Sequence, residues 1–408
     1  MHYLKLSILF GLLLSVLSCS RKSEENSLLP KIQDGNWTIT FTEQGLNIPI
    51  RLVFEDEQFT IVNSEERILT SKEWVSSDSL RVELPIFGTY LNIKIHSSDS
   101  LTGQWVNPFK DPVYFMNFTG KKDATVINEL QQKNYDSSKY AVRFSPDTQE
   151  EYPAVGVFQR NDTEAKGTFL TETGDYRYLE GKCDDEGFWL SCFDGAHLFF
   201  FNAKNVGSDS LKGSFHSGKH WSEQWEGVLN PSAKLLNPDS ITTLIGSSNK
   251  WGFQVFDSTL TEINYDSNSF LGKVTIVQLF GSWCPNCMDE SKYFKKLHSK
   301  YALQGLSIIP VAFERGADST KWKNAVNEYS TGLGLDYPYY LGGSASKGRA
   351  REVFSMLSDI TSFPTTIFID KSGAIRKIHT GFYGPGTGKY YDEYTKSTEA
   401  LIQQLLSE

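Results

Sequence analysis

Trp283-Cys284-Pro285-Asn286-Cys287 concentrates more reactive chemistry than any other stretch of this chain. Two thiols separated by two residues can close a small disulfide. Thiol–disulfide exchange needs such a pair, because one thiolate attacks and its neighbour resolves the mixed disulfide. At the start of a helix the first cysteine meets unpaired backbone N–H groups and the positive end of the helix dipole, which favour its thiolate. Cys284 is therefore expected to be the exposed nucleophile, flanked by Trp283, and Cys287, one turn in, the buried resolving thiol. Pro285 suits a first helical turn because it has no N–H to leave unsatisfied. Along the same helix Cys287, Glu290, Phe294, Leu297 and Tyr301 share one face, the apolar one. That sets a carboxylate beneath the cysteines. In low-dielectric surroundings its pKa rises, which makes Glu290 a candidate proton acceptor or donor for the resolving thiol. A solvent-facing glutamate that only favours the helix dipole is the alternative.

The neighbouring elements place the motif where such chemistry works. Lys273 to Phe280 is a short apolar run that reads as a buried strand, and Met288 to Leu303 reads as a helix, so the cysteines sit between strand and helix. Leu306 to Phe313 reads as a strand and Ser319 to Tyr329 as a helix. Thr365 to Asp370 and Ala374 to Thr380 form a hairpin through Lys371-Ser372-Gly373, and Glu393 to Leu406 closes with a helix. This β-α-β-α-β-β-α order over residues 251–408 predicts an α/β sheet with helices on both faces.

Upstream the pattern differs. Residues 36–230 read as an all-β module in which Trp37 to Phe41, Ile48 to Phe54, Leu80 to Ile86, Tyr90 to Ile95, Ala154 to Phe158, Gly187 to Cys192 and His197 to Asn202 alternate or run apolar between turn signals. Val126 to Gln132 alone has a helical look. Ser98-Asp99-Ser100-Leu101-Thr102-Gly103 recurs as Ser208-Asp209-Ser210-Leu211-Lys212-Gly213, with Gln104-Trp105 after one copy and Gln224-Trp225 after the other. The recurrence predicts two related β-units, 36–120 and 138–230, built as two sandwiches or one shared barrel. A polar, Pro- and Ser-containing linker, 231–250, joins them to the C-terminal part.

A chain of 408 residues has room for two or three domains. Its net charge of −9, with no Lys/Arg-rich run, excludes nucleic acid as a partner. Residues 1–19 read as a leader: Lys5 is the positive end, Leu6 to Leu17 the apolar run, and Val16-Leu17-Ser18-Cys19 resembles a bacterial lipobox with Cys19 as the lipidated residue. A secretory signal cleaved near Ser18 is the alternative. Residues 20–35 form a polar tether, and no later segment is apolar enough to span a bilayer, so anchoring rests on lipid alone. Export permits disulfides. Cys183 and Cys192 flank a turn at Asp184 to Gly187, which sets Cys183 opposite residues 188–190 and favours two free cysteines over a bridge. His216 and His220 read as a loop feature, and no metal site is expected. Gly381 to Gly388 lacks the syntax of a phosphate loop and reads as a connector or a loop near the active-site end.

Phe280-Gly281-Ser282-Trp283-Cys284-Pro285-Asn286-Cys287 and Ser362-Phe363-Pro364-Thr365-Thr366 together resemble the thioredoxin superfamily. Within it they resemble the TlpA/ResA-like thiol–disulfide oxidoreductases of exported bacterial lipoproteins. The resemblance covers roughly Trp251 to Glu408. It implies a thioredoxin-like domain, a cis Phe363–Pro364 bond facing the cysteines, and substrate contacts at Trp283, Phe363 and Pro364. Such proteins carry a functional glutamate three residues after the second cysteine, as Glu290 stands here. Thioredoxins proper use an aspartate six residues before the first cysteine, where this chain has Gln278. The implied activity is reduction of protein disulfides, with the Cys284–Cys287 disulfide in place of any cofactor. The implied partners are a protein thiol or disulfide substrate and a membrane electron donor, and the implied location is the periplasm-facing side of a bacterial envelope membrane. An oxidase or isomerase of the same fold, or a lipoprotein whose β-module binds a protein or glycan, are the alternatives. A thiol peroxidase is disfavoured because Cys284 has a resolving partner two residues away.

Overall fold

The computed structural model of the chain describes residues 32–43, 45–110, 112–124, 134–246 and 251–408. Cys19 with its leader, residues 20–31 of the tether and Val126 to Gln132 lie outside the described residues. Among the described residues the strands assemble into three sheets. The first runs from Gly35–Glu43 to Tyr114–Lys122 as nine antiparallel strands, and its first strand pairs with both the second and the ninth. It curls almost into a barrel, open between Glu66–Leu69 and Ser71–Trp74. Alternation drives the curl: Trp37, Ile39 and Phe41 are fully buried while Thr38 and Thr40 face outward.

The second sheet runs from Asp136–Phe144 to Trp221–Leu229. Tyr152–Arg160 pairs with Asp136–Phe144 on one side and with Glu164–Thr171 on the other, which closes the ring. Its interior is filled by rings, with Phe169 stacked on Phe201 at 4.5 Å and Phe201 on Phe215 at 4.4 Å between centroids. Two sandwiches and one shared barrel are thus both replaced by one curled sheet per unit. Strands curl this way when one face carries large apolar residues and closure removes the exposed edges.

The two Ser-Asp-Ser-Leu-x-Gly copies fall on matching hairpins, Tyr90–Ser97 with Ser100–Asn107 and Leu198–Val206 with Ser210–Ser217. In each unit the glycine lies beneath a ring from the last strand. A Cβ on Gly103 would collide with the Phe118 ring and sit 2.5 Å from the Asn92 carbonyl oxygen. One on Gly213 would collide with the Asn202 carbonyl and sit 2.9 Å from Trp225. Phe118, not Trp105, therefore matches Trp225, and Trp105 lies one strand earlier. Gly213→Ala is expected to cost about 3 kcal/mol through overpacking against backbone that cannot yield. A urea midpoint equal to that of the wild type would contradict this close approach.

The third sheet belongs to the C-terminal domain, whose elements are labelled within it. Its strands are β1 (Gly252–Phe256), β2 (Glu262–Asp266), β3 (Val274–Phe280), β4 (Leu306–Glu314), β5 (Tyr340–Ser344), β6 (Thr365–Ile369) and β7 (Ile375–Thr380). Their spatial order is β2-β1-β5-β4-β3-β6-β7, with β3, β4 and β5 parallel. All seven residues of the central β3 are buried, as a parallel strand covered on both faces requires. The helices are α1 (Pro285–Tyr301), α2 (Ser319–Leu333), α3 (Lys347–Val353) and α4 (Lys389–Ser407). Phe294 and Leu297 of α1 and Ile402 and Leu405 of α4 pack on Val274 and Ile276, while Ala350 and Val353 of α3 cover the opposite face near Val277 and Leu279.

The β1–β2 hairpin, β5 and α3 are additions to the expected order. Tyr340-Leu341-Gly342-Gly343-Ser344 carries two glycines and α3 only seven residues, too little period to read. The linker is not free: Asp239 pairs with His379 at 2.6 Å and Lys377 at 3.1 Å on β7. Among the described residues no helix is long and apolar enough to cross a membrane.

Candidate active site

The buried β3 ends at Phe280, and the chain turns through Gly281 to Trp283 into α1. Cys284 is the N-cap of α1, in an extended conformation, and its Sγ accepts the Cys287 N–H at 3.2 Å. One of the orphan donors at the helix start is thereby aimed at sulfur, which favours the thiolate when the pair is reduced. Pro285 occupies the first helical turn, and Cys284 and Cys287 are joined in a disulfide. The Phe363–Pro364 bond is cis, and Cys284 Sγ lies 3.6 Å from the Phe363 carbonyl oxygen. Trp283 donates its indole N–H to the Phe313 carbonyl at 3.0 Å, meets the Phe363 ring edge-on and carries the Arg315 guanidinium 4.4 Å above it. Trp283, Phe363 and Pro364 thus all surround Cys284.

Exposure departs from expectation. The sequence predicts an exposed Cys284, yet it is only 7 % exposed. Its cluster includes Ile86 and Phe87, delivered by the first sheet, alongside Trp283, Trp322 and Phe363. A helix N-cap is exposed in an isolated α/β domain; here another unit of the chain covers it.

Glu290 is fully buried, which removes the solvent-facing alternative. Its carboxylate accepts from Gln278 Nε2 at 2.9 Å, Thr366 Oγ1 at 2.9 Å and Tyr394 OH at 2.8 Å. Burial pushes its pKa up to about 7, against the pull of those three donors. Gln278 Nε2 also lies 3.4 Å from the Cys287 carbonyl oxygen and so links the acid to the resolving cysteine's turn. Ser291 Oγ donates to Gln278 Oε1, and Tyr329 OH donates to Ser291 Oγ, both at 2.9 Å. A second buried acid, Glu314 at the end of β4, accepts the Ser282 N–H and hydroxyl at 2.8 Å each, and burial pushes its pKa to about 7 as well. It fixes the turn that presents Trp283 and Cys284.

Sequence reasoning named Gln278 only as a departure and missed Thr366, Tyr394 and Glu314. The amide of Gln278 within the otherwise largely apolar, fully buried β3 is the signal the sequence offers, since a buried amide must find partners. Tyr394 and Glu314 reach the site from distant elements and carry no local mark. The glycine loop after β7 turns toward the second barrel, where the Gly384 N–H donates to the Asp175 carboxylate at 2.7 Å. Cys183 and Cys192 are free, paired in the ladder with Phe188 and Phe199. His216 contacts Ser214 Oγ, His220 packs on the Tyr114 ring, and among the described residues no group of three His, Cys, Asp or Glu side chains converges as a metal site would require.

Residues 248–393 match the Redoxin family. The thiol-disulfide oxidoreductase ResA of Geobacillus kaustophilus is 27% identical over 128 residues, which are 31% of this chain and 66% of that protein. The thiol:disulfide interchange protein DsbE of Vibrio cholerae is 28% identical over 118 residues, 29% of this chain and 55% of that protein. The chain thus spans less than two thirds of either relative. A thioredoxin family thiol:disulfide interchange protein from Chlorobium tepidum, solved by crystallography, aligns with 40% of this chain and 99% of its own length at 20% identity and a TM-score of 0.30.

Proposed function

We propose that this chain, which carries a Redoxin domain and is a TlpA/ResA-like member of the thioredoxin superfamily, is a thiol–disulfide oxidoreductase working through Cys284 and Cys287. The observation that carries the reading is the cysteine pair itself: one sulfur at a helix N-cap beside a cis-proline turn, the other fully buried above a carboxylate with a pKa of about 7.

In the reducing direction the Cys284 thiolate attacks one sulfur of the partner disulfide. The partner S–S bond breaks, a mixed disulfide forms, and the partner's other sulfur leaves as a thiolate that takes up a proton. Cys287 then gives its proton toward Glu290 and attacks Cys284 Sγ, which closes Cys284–Cys287 and frees the second partner thiol. Two electrons pass from the dithiol to the partner. A membrane dithiol donor would recharge the pair. Residues 1–19 support placement as a periplasm-facing lipoprotein anchored through Cys19; a Cys19→Ala chain that stayed in the membrane fraction would refute that anchor.

The direct test is dithiothreitol-driven reduction of an unstructured peptide containing one disulfide by the full-length protein. Turnover above the uncatalysed rate is expected, and a rate equal to it would refute the activity.

A further inference from the structure

Contacts that exchange chemistry does not require converge on the cysteine pair from the β-rich units. Thr171 to Tyr178 is a tight turn of the second barrel, with Gly174 and Asp175 paired back onto Thr171 and Leu170, and it lies against the first turn of α1. Asn286, between the two cysteines, donates its side-chain N–H to the Asp175 carbonyl at 3.3 Å, and Gly174 packs so close that a Cβ there would run into Asn286. Ser362, just before Phe363, donates its hydroxyl to the Thr173 carbonyl at 2.8 Å. Tyr383 OH donates to the Thr171 carbonyl at 3.0 Å from behind. On the other flank Ile86 and Phe87 of the first unit pack beside Cys284.

One buried side chain ties the three units together. Arg177, 2 % exposed, pairs with Asp289 on α1 at 2.5 Å, with Glu66 of the first sheet at 2.5 Å and with Asp194 of the second at 3.3 Å. Its Nη1 also lies 3.4 Å from the Pro285 carbonyl oxygen, inside the redox motif. Burying a guanidinium is costly, and such clusters fix geometry more than they add stability. Here the geometry fixed is the position of both β-units over the N-terminus of α1.

We propose that the β-units are the substrate selector of the exchange site. Gly174, Asp175 and Arg177 on one flank and Ile86 and Phe87 on the other leave Cys284 open to a disulfide on a slim, extended chain segment and close it to disulfides lying in folded surfaces. The proposal rests on the oxidoreductase reading and adds to it the class of substrate. Attack requires the two sulfurs to align at near-attack distance, which a broad surface cannot achieve against a nucleophile recessed between two walls. What remains open beside Cys284 is the half-buried rim of Phe87, Trp283 and Phe363 with Arg315 above it, a shape and polarity suited to an extended segment with apolar side chains.

The test uses reduced full-length protein with two oxidised substrates, an unstructured peptide containing one disulfide and a folded protein with one surface disulfide. Each rate is divided by that substrate's own rate with dithiothreitol, which removes intrinsic reactivity. The normalised rates are expected to favour the peptide by about tenfold or more. Asp289→Asn releases Arg177 from α1 at constant volume, and Gly174→Ala wedges the covering segment off Asn286. Each is expected to shrink the preference severalfold by raising the rate on the folded substrate. Equal normalised rates in the wild type, or a preference that neither variant changes, would overturn the selector. A wild-type protein that exchanges with neither substrate would bring down the oxidoreductase reading, and the selector with it.

Discussion

Cys284→Ser is expected to reduce disulfide exchange by on the order of a thousandfold or more, to the uncatalysed rate, because a hydroxyl at the α1 N-cap offers no thiolate. Cys287→Ser has a different signature. The first attack survives, resolution does not, and the protein accumulates as a mixed disulfide through Cys284. Intact-mass analysis after incubation with an oxidised peptide reads both outcomes. The asymmetry follows from placement: Cys284 Sγ holds the Cys287 N–H at 3.2 Å and sits beside the cis-proline turn, whereas Cys287 is fully buried and reaches only its neighbour. Adducts trapped on Cys287 in a Cys284→Ser protein, at the rate seen with Cys284 intact, would reverse the assignment.

Glu290→Gln is expected to separate activity from stability. In the wild type the resolving step should accelerate as pH rises through about 7, where Glu290 becomes able to accept the Cys287 proton. The glutamine variant should lose that inflection and resolve about a hundredfold more slowly at alkaline pH. Stability should move the other way. The unfolded carboxyl ionises near 4.5 and the folded one near 7, so the folded state binds more protons between those values. Wild-type stability therefore falls as pH rises from 4.5 to 7, by about 3 kcal/mol in total from this group. Glutamine cannot ionise and retains much of that stability, less about 1 kcal/mol for an altered hydrogen bond with Gln278, Thr366 or Tyr394. Glu314 and Asp175, whose pKa values burial raises to about 7 and about 6, titrate in both proteins and cancel in the comparison. Denaturation midpoints at pH 5 and pH 8 test this. A gap between variant and wild type that does not widen with pH would show that Glu290 is not held protonated by burial.

The C-terminal domain was legible in the sequence wherever period and motif were strong. The run of β3, the face Cys287-Glu290-Phe294-Leu297-Tyr301 and the hairpin through Lys371-Ser372-Gly373 all stand as read, and every residue on that α1 face is buried. What failed to show was short or non-local. β5 and α3 are too brief to carry a period, and the partners of Glu290 come from β3, β6 and α4, brought together only by the sheet. In the β-rich part, alternation revealed the strands but not the curl, because closure depends on pairings such as Gly35–Glu43 with Tyr114–Lys122, far apart in sequence. The recess around Cys284 was invisible for the same reason. Nothing local to Ile86, Phe87 or Arg177 says that they reach across to the redox helix.

The most direct measurement is equilibration of the full-length protein with dithiothreitol and glutathione buffers, with the Cys284–Cys287 state counted by mass. One reversible two-electron transition confined to this pair is expected, at a potential near or below that of thioredoxin, roughly −270 mV, as a reductant requires. A transition near about −120 mV would reverse the direction of electron flow. A pair that does not titrate as a couple would refute thiol–disulfide exchange at Cys284 and Cys287.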